Sequence, residues 1–146
     1  MPENKDEHFM RAALDEARKA YDKQEVPVGS VVVCNDIIIA RAHNLTETLN
    51  DPTAHAEMQA ITSAAAWLGG KYLIGCTIYI TVEPCAMCAG AIGWSQAERV
   101  VYGADDPKKG FTLFQGNFLH PKTTVSKGLL ARECGNLMSA FFKTKR

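Results

Sequence analysis

Thr77-Ile78-Tyr79-Ile80-Thr81-Val82-Glu83-Pro84-Cys85-Ala86-Met87-Cys88 joins two kinds of structure end to end. Its first six residues are β-branched or aromatic and read as a strand. Pro84 suits the first turn of a following helix, because its missing N–H would be unpaired there in any case. Arg99-Val100-Val101-Tyr102-Gly103 reads as the next strand. A helix between two strands implies a parallel pair with the helix on one face of the sheet.

Working towards the amino terminus, Ala54, Met58, Ile61, Ala65 and Leu68 keep one face of a helix apolar, and Gly69-Gly70 stops it. Asp51-Pro52-Thr53 offers capping side chains and a break before that helix. Val31-Val32-Val33-Cys34 and Ile37-Ile38-Ile39 flank Asn35-Asp36, a two-residue hairpin turn. Both runs are apolar throughout, so both faces of the sheet are expected to be covered. Met10, Leu14, Ala17 and Tyr21 mark an amphipathic first helix. Towards the carboxyl terminus, residues 104–122 form a long loop holding Phe111, Phe114 and Phe118, and loops of that length are often functional. Thr123-Thr124-Val125 reads as a short last strand, and Leu130, Cys134, Leu137 and Phe141 mark a final helix. The order α-β-β-α-β-α-β-loop-β-α predicts an α/β fold. It is a three-layer α/β/α sandwich with a five-stranded mixed sheet, in one domain spanning residues 1–146.

Composition narrows the class. The 146 residues are 47% hydrophobic and 22% charged, ordinary for a globular protein with a real core. The amino terminus is polar, and no apolar run approaches the roughly 18 residues of a membrane span. The expectation is a cytoplasmic protein with no membrane partner. Five cysteines, two of them in C-x-x-C, argue against a secreted disulfide framework. Cys34, Cys76 and Cys134 read as buried structural thiols. The net charge is zero but unevenly spread: −5 over residues 1–97 and +5 over 98–146. A basic face from the last third and a set of solvated lysines are equally compatible with that asymmetry.

The chemistry lies in two motifs. Thr53-Ala54-His55-Ala56-Glu57 contains H-x-E, and P-C-x-x-C begins at Pro84, with 26 residues between Glu57 and Pro84. One histidine and two cysteines can hold Zn²⁺ and leave its fourth position open. Cys85 and Cys88 share one face at a helix start, where the helix dipole favours thiolates. His55, at the start of the earlier helix, can approach from a facing element, so that two helix amino termini meet above the sheet. The borderline-soft donor set favours zinc over copper or iron. C-x-x-C alone is more often a structural zinc site or a redox pair. A structural site would want a fourth ligand in a paired motif, and His8, His43 and His120 provide none. Helical spacing points Glu57 about 200° away from His55, so periodicity does not place it at the metal.

H-x-E followed by P-C-x-x-C resembles the zinc-dependent cytidine/adenosine deaminase superfamily. Further stretches resemble its tRNA-adenosine deaminase branch: Glu25-Val26-Pro27-Val28-Gly29, Asp51-Pro52-Thr53, Val100-Val101-Tyr102-Gly103-Ala104 and Phe141-Phe142-Lys143. The resemblance runs from about residue 8 to the end and implies a cytidine-deaminase-like fold, a Zn²⁺ cofactor held by His55, Cys85 and Cys88, and a homodimer. It implies hydrolytic deamination of adenosine to inosine at the wobble position of a tRNA anticodon stem-loop. Glu57 would carry a proton from water to the purine N1 and then to the departing amine. Asn44 would contact the base, the backbone of Val28 and Ala56 would line the pocket, and Asp106 would lie near the ribose. Lys143, Lys145 and Arg146 would meet RNA phosphates. Read from the residues alone, Asn44 is a turn residue before Leu45, Asp106 caps a loop beside Pro107, and Phe141 packs in the core. A tryptophan similar to Trp94 occurs in guanine deaminases of the superfamily, which makes a free purine (guanine) deaminase the alternative activity. The aromatic loop could stack on unpaired bases.

Overall fold

A computed structural model describes residues 5–145. In chain order the elements are α1 (Lys5–Asp22), β1 (Gly29–Cys34), β2 (Ile37–His43), α2 (Ala56–Leu68), β3 (Cys76–Val82), α3 (Ala86–Ser95), β4 (Arg99–Ala104), β5 (Thr124–Lys127) and α4 (Ala131–Thr144). The strands form one mixed sheet in the order β2-β1-β3-β4-β5. β1 runs antiparallel to both β2 and β3, while β3-β4 and β4-β5 are parallel. The expected α/β/α architecture is the one observed.

Alternation along the strands separates the two cores. Ile78, Ile80, Val100 and Tyr102 point to one face and pack with Ala60 and Ala64 of α2 and Ile92 of α3. Val31, Val33, Tyr79 and Val101 point to the other and meet Phe9, Met10 and Leu14 of α1 and Cys134 of α4. With helices on both sides, neither face of the central strands needs polar residues, which explains their continuous apolar runs. Asn35 and Asp36 take positive φ of 52° and 62°, as the tight turn between β1 and β2 requires. α1 crosses β1 at Gly29, where a Cβ would overlap the helix backbone at Ala13 and Ala17.

Two local expectations change. The helix after Pro84 starts at Ala86 with Cys85 as its N-cap, so the proline precedes the cap rather than sitting in the first turn. Asp51 does not cap α2: its carboxylate accepts hydrogen bonds from Thr53 N–H (2.8 Å) and Oγ1–H (2.7 Å). The N-cap of α2 is His55, which makes no side-chain cap bond. Cys76 and Cys134 are buried as expected, while Cys34 is only half-buried.

Candidate active site and metal centre

The site forms at the carboxyl ends of parallel strands β3 and β4, where ligands gather in open α/β sheets. α3 starts directly after β3, and α2, packed beside it, starts at the same edge. His55 and Cys85 occupy the two N-cap positions in extended conformation, with φ/ψ of −70°/156° and −72°/173°. An N-cap side chain normally accepts from the first-turn amides. Here neither does, so both are available to something else.

His55 Nδ1 lies 3.7 Å from Cys85 Sγ and 3.4 Å from Cys88 Sγ. All three donor atoms fall within 4.8 Å of one another and could hold a metal ion. Tetrahedral zinc with ordinary Zn–N and Zn–S bonds sets these atoms about 3.6 Å apart, so the triad fits zinc without rearrangement. The same geometry resolves the 200° problem: His55 stands outside the helix, so helical spacing does not govern its angle to Glu57. Glu57, in the first turn, is 4% exposed and lies beside Cys88, whose thiol it helps to raise.

The electrostatics follow from this crowding. A hydrogen bond from Cys88 pulls the Cys85 thiol down to about 4 against the cost of burial, and His55 assists. The Cys88 thiol is pushed up by the same contact with Cys85, then by burial and by Glu57. One proton thus serves two sulfurs, with the thiolate on Cys85. Hydrogen bonding to Cys85 raises His55. Burial pushes the Glu57 carboxyl up to about 7, where a proton carrier is most useful at neutral pH.

Above this floor opens a cavity of about 920 Å³. Val28, Asn44, Ala56, Asp106 and Lys143, all singled out in the sequence, line it with His55, Glu57 and Cys85. Asn44 is buried, and its Oδ1 has no hydrogen-bond partner among the described residues. The Asp106 carboxylate caps its own loop, accepting from the N–H groups of Lys108 and Lys109 at 3.0 Å each. Lys145 does not line the cavity, and its Nζ sits 5.2 Å over the Phe141 ring. Arg146 lies outside the described residues. Trp94 is 85% exposed on α3 and does not line this cavity. Of the loop aromatics, Phe111 packs against Tyr102 and Phe118 beside the core, and is no stacking platform. Phe142, part of the tail stretch singled out in the sequence, also lines the cavity, while sequence reasoning missed the lining residues Thr46, Glu83 and Met138. For Glu83, a lone acid between an apolar strand and Pro84 was the available signal.

A carboxylate beside a metal-competent His-Cys-Cys triad, under a cavity wide enough for a nucleoside, defines a zinc-dependent hydrolytic deaminase. The chain belongs to the family described as "cytidine and deoxycytidylate deaminase zinc-binding region", whose profile matches residues 3–104. It is 49% identical over 146 residues to the tRNA-specific adenosine deaminase of Bacillus subtilis, covering 97% of this chain and 91% of that one. A solved structure from a study of A-to-I editing by tRNA:A34 deaminases at the wobble position shares 43% identity. It has a TM-score of 0.83 and covers 89% of this chain and 98% of its own. The guanine deaminase of Bacillus subtilis is 40% identical but matches less of the molecule, with a TM-score of 0.65 over 68% of this chain and 64% of that one. Among the described residues no helix is long and apolar enough to cross a membrane.

Proposed function

We propose that this chain hydrolyses adenosine to inosine at the wobble position of a tRNA anticodon, acting in the cytoplasm as one deaminase domain over residues 1–146. The observation that carries the reading is the cavity floor: three metal-competent donors within 4.8 Å, with buried Glu57 against Cys88. His55, Cys85 and Cys88 hold Zn²⁺, which when bound supplies the Lewis acid that makes water nucleophilic at neutral pH. Glu57 takes a proton from the attacking water, delivers it to N1 of the purine, and carries the second proton to the departing amine. The water oxygen becomes the 6-oxo group, and ammonia leaves. The amide of Asn44 orients the purine edge, since its buried Oδ1 has an unfilled acceptor site. The backbone at Val28 and Ala56 walls the pocket.

RNA fits the rim. Of the lining acids, Asp105 pairs with Lys127 (3.5 Å), and Asp106 and Glu83 accept backbone N–H groups. Lys108, Lys109 and Lys143 line the cavity and enter no ion pair among the described residues, which leaves them for phosphates. An anticodon loop presents its bases already unpaired, so little unstacking is needed to seat one. The protein acts as a homodimer. Support comes from α3, where exposed Met87 and Trp94 with Gly90 and Ala91 between them form an apolar stripe at helical spacing.

Zinc-loaded protein incubated with an anticodon stem-loop carrying adenine at the wobble position, and separately with free guanine, tests the reading. Inosine in the RNA alone is expected. Xanthine from guanine, with the RNA untouched, would replace this function by free-purine deamination.

A further inference from the structure

Two buried acids beside the cavity do no chemistry in the mechanism above. Glu83 is 4% exposed and Glu25 fully buried, and among the described residues neither joins an ion pair. Each instead collects three donors from a loop that lines the cavity. Glu83 Oε1 accepts Asp106 N–H (3.1 Å), and Oε2 accepts Thr112 N–H (3.0 Å) and Thr112 Oγ1–H (2.7 Å). Glu25 accepts Glu47 N–H (3.0 Å), Thr48 N–H (2.6 Å) and Thr48 Oγ1–H (2.7 Å). One loop follows β4 and the other follows β2, so the sheet's two flanks are treated alike.

An ionised carboxylate is acceptor-only, with about four lone-pair sites, and can satisfy three donors without conflict. Its amide isostere cannot, because it must turn N–H groups towards N–H groups. Gly110 packs so closely on the Glu83 carboxylate that a Cβ there would overlap it. Phe111 N–H also bonds Pro84 O at 2.9 Å, which ties the same loop to the residue before Cys85. The Glu83 carboxylate, together with the Phe111–Pro84 bond, therefore holds this loop, which carries Asp106, Lys108 and Lys109 at the rim. Burial works against charge on Glu25, yet the bonds from Thr48 and Glu47 hold its carboxyl below the ordinary range.

We infer that Glu83, with Glu25 as its counterpart at the loop after β2, is a positioning residue. It fixes the cavity rim for the RNA around the reacting base and takes no part in the proton transfers. The inference rests on the proposed RNA substrate.

The test compares wild-type protein with Glu83→Gln and Gly110→Ala, which disturb the same contact from its two sides. Zinc content, kcat and KM on the stem-loop, and amide hydrogen exchange over residues 105–112 of the RNA-free protein are measured. With one or two buried hydrogen bonds lost, KM should rise about tenfold or more in both variants, while kcat falls by less than about threefold. Zinc should stay stoichiometric, and the Asp106 and Thr112 amides should lose protection. Glu25→Gln should raise KM in the same way, with exchange increased at residues 47 and 48. A fall in kcat with KM unmoved, or loss of zinc, would overturn the assignment and place Glu83 in the chemistry or the metal site. Unchanged protection in both variants would show that the loop holds itself. Wild-type protein that leaves the stem-loop unedited would refute the RNA reading instead, and the exchange data, taken without RNA, would separate that failure from the others.

Discussion

Replacing Glu57 by glutamine removes the proton carrier while keeping its volume and its buried place at 4% exposure. General acid–base catalysis by one group contributes about 10²–10⁴ in rate. Glu57 is assigned two transfers in each turnover, and its burial keeps bulk water from substituting, so the upper end applies. A loss of about 10⁴ in kcat corresponds to about 5.4 kcal/mol of barrier. Zinc content should be retained, because the three donors are untouched. The pH profile adds an independent check. Without metal the Glu57 carboxyl is pushed up to about 7. Glu57 must be ionised to take a proton from water, so kcat/KM carries an acid limb set by that carboxyl. Activity should rise with pH through that limb and level off, and the residual activity of Glu57→Gln should lack the limb. Single-turnover deamination of the stem-loop from pH 5 to 8, with metal analysis of each sample, measures both. A variant within tenfold of wild type, or one that keeps the limb, would refute the role given to Glu57.

Asp6 ties three elements together, accepting from Arg99 Nη1 (2.8 Å), Arg99 Nη2 (2.7 Å) and Tyr79 Oη–H (2.6 Å). The Arg99 bonds hold its carboxyl below the ordinary range. Its contribution is therefore fully present above the unfolded-state pKa and is lost as pH falls through the lower native one. Asp6→Asn should cost about 1–3 kcal/mol at pH 7, and urea denaturation should show that gap closing as pH falls below the ordinary aspartate range; a gap that persists in acid would mean the loss is one of packing. The proposed homodimer is checked by sedimentation equilibrium: wild type should have the mass of a dimer and Trp94→Arg, on the exposed stripe of α3, that of a monomer, while a monomeric wild type would refute the dimer.

Whatever depends on neighbours within one turn or one strand could be read from the residues. The apolar runs of β1 and β3, the Asn35-Asp36 turn, the Gly69 stop and the Cys85–Cys88 pair at a helix start each rest on local backbone preference and side-chain period. Joining H-x-E to P-C-x-x-C also needed no coordinates, since metal donors are few and their spacing is restrictive. Helix α3 shows where this ends. It is apolar all round, so periodicity could not tell buried Ile92 from exposed Trp94, and only its packing against the sheet did.

The position of Glu57 was likewise a tertiary decision. His55 leaves the helix to serve as its N-cap, and what brings His55 to the cysteines is the meeting of two helix starts at one sheet edge. The strand order placed β3 and β4 side by side and so made that edge a cavity. Glu25 and Glu83 are the furthest from legible. Their donors lie 22 to 29 residues away along the chain, and a carboxylate that gathers backbone amides leaves no pattern in the side chains of the loop it holds.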